Sequence, residues 1–232
     1  TDHISELLFA CTALNVENLT KENIVTGVHN AGDVMYDLYK KMSRVFSPAT
    51  EMKKYGITEN KYIMVTIHRN TNTDNKESLR SILTGLNVVK QDFGLDVIFP
   101  LHPRTKNKIA EFDLEHMLSK LTTIEPLGYL ELMSLTQNAA FVVTDSGGYQ
   151  KESYWAGKRG ILAMPQGWPE ITDTGWHVLL GDVQNINWEK EIKNILQTFE
   201  YPANIFGDGH AAGKIVEIIS RFHNGSKKNV DR

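Results

Sequence analysis

Apolar and polar positions along this chain switch between two periods almost from end to end. Runs with period two, or with no polar break, predict strands over residues 7–10, 24–28, 62–67, 97–101, 122–124, 140–143, 161–164 and 177–180. Between them, apolar residues recur at helical spacing over 13–21, 33–46, 76–90, 106–118, 129–136, 148–155 and 188–198. A closing stretch, 210–222, sets Ile215, Ile218, Ile219 and Phe222 on one face of a helix. Such alternation predicts an α/β fold: a doubly wound parallel sheet, Rossmann-like, with right-handed crossovers.

The elements are unevenly distributed. Ser47-Pro48 and the polar segment up to Asn60 read as a linker. Residues 62–180 hold six strands with their helices, enough for one complete Rossmann-like domain, whereas the first 46 hold only two strands and two helices. The division expected is 1–46 as the remnant of a second such domain, 47–208 as the complete one, and 209–232 as a C-terminal helix and tail. The chain opens at Thr1-Asp2-His3, almost directly on a strand and with no initiator Met, as a piece of a longer protein would. No repeat of solenoid length is visible.

Composition narrows the function classes. The net charge is -3 over 232 residues, and no Lys/Arg block precedes the tail, which argues against nucleic-acid or anionic-membrane partners. Lys227, Lys228 and Arg232 read as solvated tail residues. Cys11 is the only cysteine, so no intrachain disulfide or thiolate metal site is expected. The eight histidines form no H-x-x-x-H pair and the acidic residues no ligand spacing, so no metal is expected. No apolar segment approaches the roughly 18 residues that span a bilayer. No secretory signal is visible, which leaves the cytoplasm as the expected location.

Four polar clusters fall at the predicted carboxyl ends of strands, where open α/β sheets bind ligands. They are His68-Arg69-Asn70-Thr71-Asn72, His102-Pro103-Arg104, Asp145-Ser146-Gly147-Gly148, and Pro165-Gln166-Gly167-Trp168-Pro169-Glu170. If the sheet is parallel, all four line one rim. The third is the most informative: a Gly-permissive turn that opens a helix leaves backbone N–H groups at the positive end of the helix dipole, an arrangement that suits phosphate or pyrophosphate. The G-x-G-x-x-G dinucleotide spacing is absent.

Each residue of interest has a bland reading beside the functional one. His68 reads as a loop histidine, or as a group that meets a phosphate or protonates a leaving group. His102 has the same two readings, since Pro103 turns the chain out of the sheet at any strand exit. Ser146 is a favoured helix cap, and capping and phosphate binding use one geometry; no G-x-S-x-G elbow supports a nucleophile. Glu152 decorates a helix, or accepts both ribose hydroxyls just beyond a phosphate-binding turn. Tyr129, Tyr149, Trp155 and Trp168 read as packing residues, with Tyr129, after Gly128, the best placed to meet a nucleobase.

Taken in order, these clusters resemble the non-hydrolysing UDP-N-acetylglucosamine 2-epimerase family, whose two-domain fold is shared with GT-B glycosyltransferases. The resemblance covers nearly the whole chain. His68–Asn72 is similar to the family's H-R-x-E-N loop, His102-Pro103 to its H-P loop, Thr144–Glu152 to its T-D-S-G-G-x-Q-E-E turn, and Trp168-Pro169-Glu170 to its x-P-E helix start. Residues 206–212 are similar to its F-G-D-G-x-A stretch. The resemblance implies that UDP binds here. Ser146, Gly147 and Gly148 would hold the diphosphate and Glu152 the ribose. His68, Arg69 and His102 would face the phosphates and the breaking C1–O bond, His68 as the catalytic group. Asn72 and Tyr129 would complete the UDP-binding set. It also implies inversion at C2 by eliminating UDP to a 2-acetamidoglucal and adding it back, with no cofactor, and homodimers of the kind the family often forms.

Departures from the family pattern bear on the substrate. Thr71 stands where the family usually has Glu, Leu132 where an aromatic often packs near the uracil, and Trp168 where Arg is common. A Trp-Pro-Glu version resembles relatives acting on UDP-2,3-diacetamido-glucuronic acid. The family's acid/base carboxylates lie upstream of the strand where this chain begins, so the chain alone is expected to bind UDP weakly and not to epimerise. Two rivals stay open: the donor-binding domain of a GT-B glycosyltransferase, and a non-catalytic nucleotide-sugar sensor.

Overall fold

The computed structural model describes residues 2–230, with side chains up to Asn224. Arg232 and the side chains of Lys227 and Lys228 therefore lie outside the described residues. The chain falls into two compact units, one made of residues 2–44 with 203–230 and the other of Val45–Pro202. Residues 209–230, read from sequence as a separate helix and tail, thus belong with the opening segment.

In the first unit, β1 (Leu8–Ala10), α1 (Ala13–Lys21), β2 (Val28–Asn30) and α2 (Val34–Met42) follow in order. The second contains α3 (Pro48–Tyr55), β3 (Tyr62–Thr66), α4 (Asn70–Thr73), α5 (Lys76–Asp92), β4 (Asp96–Pro100), α6 (Pro103–Glu111) and β5 (Thr122–Ile124). It continues with α7 (Tyr129–Thr136), β6 (Val142–Thr144), α8 (Gly147–Trp155), β7 (Gly160–Leu162), α9 (Pro169–Thr172), β8 (Val178–Leu179) and α10 (Trp188–Ile195). The closing helix of the first unit is α11 (Ala211–Val230).

Six parallel strands form the sheet of the second unit in the order β5-β4-β3-β6-β7-β8. Counted from its own first strand this is 3-2-1-4-5-6, the doubly wound Rossmann order, whose direction of travel reverses between β3 and β6. The runs expected to be buried are so: Ile63, Met64, Val65, Val142, Val143 and Ile161 are fully enclosed, with Leu79, Ile82, Leu83 and Leu86 of α5 against one face. Gly85 admits a close neighbour. A Cβ there would lie 2.1 Å from the Trp188 ring, so a residue costing about 1 kcal/mol in a helix interior is what lets α10 seat on α5. Buried Arg159 donates to the carbonyls of Asn194, Ile195 and Gln197 and holds the negative end of α10.

Three sequence expectations shift. The run at 24–28 becomes a strand only from Val28, because Gly27 adopts φ +72 and its carbonyl accepts from Leu8 N. The expected helix over 106–118 starts earlier, at Pro103 behind the His102 cap, and breaks where Asp113 turns to φ 57. The supposed linker contains α3, started by Pro48 in its first turn and stopped by Gly56 in the left-handed region. In the first unit, the carboxylate of Asp37 accepts from Ala211 N and Ala212 N, so it satisfies two of the donors that open α11. No helix among the described residues is long and apolar enough to cross a membrane.

Candidate functional site

At the reversal point of the sheet, a cleft of about 450 Å³ opens at the carboxyl ends of β3, β4 and β6. Thr66, His68, His102, Ser146, Tyr149 and Glu152 line it together with an apolar wall of Pro126, Leu127 and Leu132. Its base is a hydroxyl pair. Thr66 Oγ1 lies 2.6 Å from Thr144 Oγ1, which also accepts from Ser146 N at 2.9 Å.

The turn between β6 and α8 is built around Asp145, whose side chain is fully buried. Its carboxylate accepts from His68 N at 3.1 Å, Arg69 N at 2.9 Å and Asn72 Nδ2 at 3.0 Å. His68 Nδ1 stands 3.3 Å from Oδ1 of the same group. One carboxylate thereby ties the exit of β3 to the exit of β6. Ser146 caps α8, its Oγ accepting from Tyr149 N at 3.3 Å. The amides of Gly147 and Gly148 are among those a helix leaves without an intrahelical acceptor. Trp168 steadies the turn from the side, its indole N–H donating to Gly147 O at 3.0 Å and its ring facing Lys151 Nζ at 4.5 Å.

The two histidines are held differently. His102 caps α6: its Nδ1 accepts from Arg104 N at 3.2 Å, which leaves the proton of the neutral ring on Nε2. His68 instead turns Nδ1 toward a carboxylate. The rings are 6.3 Å apart, centroid to centroid. Glu152 is half-buried, and no hydrogen bond or ion pair reaches its carboxylate among the described residues. Burial pushes its pKa above the usual carboxylate range, with Lys151 pulling weakly the other way. Burial likewise raises the phenol of Tyr149, whose hydroxyl lies 2.6 Å from Thr136 Oγ1.

Of the residues singled out from sequence, His68, His102, Ser146 and Glu152 meet in the cleft. Arg69 is exposed beside it; a Cβ on Gly147 would lie 3.3 Å from its Nη2, which sets the guanidinium over the start of α8. Around Gly148 nothing stands within 4 Å of such a Cβ. Asn72 and Tyr129 are not among the lining residues. Asn72 is buried and braces the turn, donating also to Ala163 O at 2.8 Å, and Tyr129 packs edge-on against Phe46. Trp168-Pro169-Glu170 starts α9 as its motif suggested, with Trp168 as the cap. The residues not singled out from sequence are Thr66, Pro126 and Leu127, and Asp145 reads from sequence only as part of its turn. Asp145 carried a signal, as the residue between a buried strand and a helix-capping Ser. The described residues contain no group of three or more His, Cys, Asp or Glu placed to hold a metal ion.

A family model described as UDP-N-acetylglucosamine 2-epimerase matches residues 1–220. The chain is similar to a UDP-N-acetylglucosamine 2-epimerase homolog of Methanococcus maripaludis, with 36% identity over 94% of this chain and 62% of that protein. It is also similar to the UDP-2,3-diacetamido-2,3-dideoxy-D-glucuronate 2-epimerase of Pseudomonas aeruginosa, with 32% identity over 96% of this chain and 62% of that one. Among solved structures, the UDP-GlcNAc 2-epimerase of Methanocaldococcus jannaschii in complex with UDP-GlcNAc and UDP superposes with a TM-score of 0.81 at 32% identity, over 95% of this chain and 62% of that one. The chain thus spans 62% of the length of these relatives.

Proposed function

Given that the chain belongs to the UDP-N-acetylglucosamine 2-epimerase family, we propose that its cleft is the nucleotide grip of a cytoplasmic sugar-nucleotide 2-epimerase that interconverts UDP-GlcNAc and UDP-ManNAc. In this reading the uracil lies toward Pro126, Leu127 and Leu132, and the ribose hydroxyls donate to Glu152. The diphosphate meets the amides of Gly147 and Gly148, with Ser146 and the guanidinium of Arg69 alongside. His68 and His102 face the C1–O bond. One observation carries the reading: a half-buried carboxylate without a partner lines the same cleft as a helix N-terminus and two imidazoles.

The chemistry asked of these groups is stabilisation of a leaving diphosphate. Loss of the C2 proton to a carboxylate base of the kind the family resemblance implies, with departure of UDP from C1, leaves a 2-acetamidoglucal. UDP then returns to C1 as a proton is delivered to the other face of C2. Charge grows on the bridging phosphate oxygen as the C1–O bond breaks, and preorganised N–H donors aimed there stabilise it. A proton from His68 can neutralise it further. The homodimer implied by the family resemblance belongs to the same proposal.

Trp168-Pro169-Glu170, which resembles the motif of relatives acting on the 2,3-diacetamido uronate, favours that second sugar, on which the Pseudomonas relative is named as acting. A protein carrying this chain is incubated in D2O with UDP-GlcNAc and, separately, with the UDP-linked uronate, and C2 is followed by proton NMR. The expected result is deuterium at C2 with a mixture of both epimers for one of the two sugars. Absence of exchange with either sugar, while UDP still binds, would remove the epimerase reading.

A further inference from the structure

The two cleft histidines differ in what holds their Nδ1, and that difference assigns them different chemistry. We infer that Asp145 is a positioning residue that locks His68 as the proton carrier of the cleft, while the Arg104 amide locks His102 as a fixed hydrogen-bond donor. The inference rests on the epimerase reading for its reaction, but not for its structural content.

An ionised carboxylate only accepts, and a bare Nδ1 lone pair 3.3 Å from Asp145 Oδ1 would face negative charge, so hydrogen on Nδ1 is the favoured form of neutral His68. Neutral His68 then shows a bare Nε2 lone pair, ready to take a proton. Once protonated it shows an N–H whose charge is balanced by the buried carboxylate behind it. At His102 the backbone N–H of Arg104 occupies the Nδ1 lone pair, so Nε2–H is fixed and donates without changing charge. Rings 6.3 Å apart can thus address neighbouring oxygens of one leaving group, one shuttling a proton and the other holding position.

Asp145 is itself fixed. The amides of His68 and Arg69 and the side chain of Asn72 saturate it, and Asn72 is pinned in turn by Ala163 O. This accounts for an Asn in the loop that does not line the cleft: it holds the carboxylate that holds the histidine. Besides Asp145, the titratable groups that share the cleft with His68 are His102, Tyr149 and Glu152, with Arg69 next to it in the chain.

The test is 15N NMR of the imidazoles in this chain, with UDP binding measured beside it by calorimetry. The expected result is Nδ1–H for neutral His68 and Nε2–H for neutral His102. Asp145→Asn, which keeps the shape but places an amide N–H opposite Nδ1, is expected to move neutral His68 to the Nε2–H form, leaving His102 unchanged. His68 already in the Nε2–H form in the unaltered chain would overturn the inference, and that holds even if Asp145→Asn fails to fold. A His68 tautomer identical in Asp145→Asn would also overturn it. Normal tautomers together with no UDP binding would instead strike the functional reading and leave this one standing.

Discussion

Asp145 and Glu152 bracket the first two turns of α8, and their surroundings are opposite. Asp145 is fully enclosed and takes hydrogen bonds from two backbone amides and one side-chain amide, with an imidazole alongside. Glu152 is half-buried and takes none among the described residues, so its burial works against its charge. A carboxylate with every oxygen occupied can only support structure and orient its donors. A partly desolvated carboxylate left without donors costs stability unless something arrives to supply them. Around one helix, the first carboxylate builds the turn and the second is left without hydrogen-bond donors among the described residues.

The largest effect that would test this contrast is Asp145→Ala. It removes the acceptor of the partly buried amides of His68 and Arg69 and of one Asn72 side-chain N–H, the other still reaching Ala163 O. At roughly 1–3 kcal/mol for each unsatisfied group, with partial relaxation, the expected loss is about 3–5 kcal/mol in urea unfolding. A midpoint unchanged from the parent chain would show that the carboxylate supports nothing.

A third buried group sits behind α8 and extends the comparison to a half-satisfied case. His177 Nε2 lies 2.7 Å from Gln150 O, while its Nδ1 has no partner. Burial lowers its pKa from 6.5 to about 4. The unfolded chain therefore takes up a proton near pH 6.5 that the folded chain refuses until about 4. Stability contributed by the neutral ring is complete above the unfolded value and falls as the pH drops through that window, by ~3 kcal/mol. His177→Gln can still donate to Gln150 O but cannot titrate, so its unfolding free energy should vary less between pH 7 and pH 4.5. Parallel curves for the two proteins would contradict the assignment.

Glu152→Gln probes the other side of the contrast. The folded pKa of Glu152 lies above its unfolded value, so the ionised carboxylate opposes folding at neutral pH and ceases to do so as the pH falls. The substitution should therefore leave stability unchanged or slightly raised. Loss of a charged acceptor for ribose should weaken UDP binding about tenfold, the equivalent of ~1.4 kcal/mol. The parent chain should likewise lose UDP affinity on acidification, starting at a higher pH than an ordinary glutamate would impose. Equal affinity in parent and variant would remove Glu152 from the ribose.

How much of this was legible beforehand depended on whether a feature is local. The four inner sheet strands could be read because strands covered on both faces are continuous apolar runs, as Tyr62–Thr66 and Val142–Thr144 are. The rim followed from parallel pairing, and with it the convergence of His68, His102, Ser146 and Glu152. Helix α3 was hidden because its residues are mostly polar or exposed, so no apolar stripe marks it. Asp145 was visible as part of a turn, but its role was not, because its donors His68 and Arg69 lie 77 and 76 residues away. Asn72 was misplaced for the same reason: the loop that carries it reads as ligand-facing, while the side chain turns inward to Asp145 and Ala163.

The smallest effect separates packing from ligand space most cleanly. Glycines are kept either because the protein leaves no room for a Cβ or because something else needs the room. Gly147 is close to the first case, since its Cβ would press on Arg69 Nη2 at 3.3 Å. Gly148 is not: nothing stands within 4 Å, and its helical backbone suits any residue. Gly148→Ala should therefore be neutral or stabilising, by up to about 1 kcal/mol from helix propensity alone. If a diphosphate packs against that backbone, the added methyl must displace it, and UDP affinity should fall while affinity for uridine changes less. A variant that gains stability and binds UDP as before would mean that the open space at Gly148 is ordinary surface, and that the anion sits elsewhere on the rim.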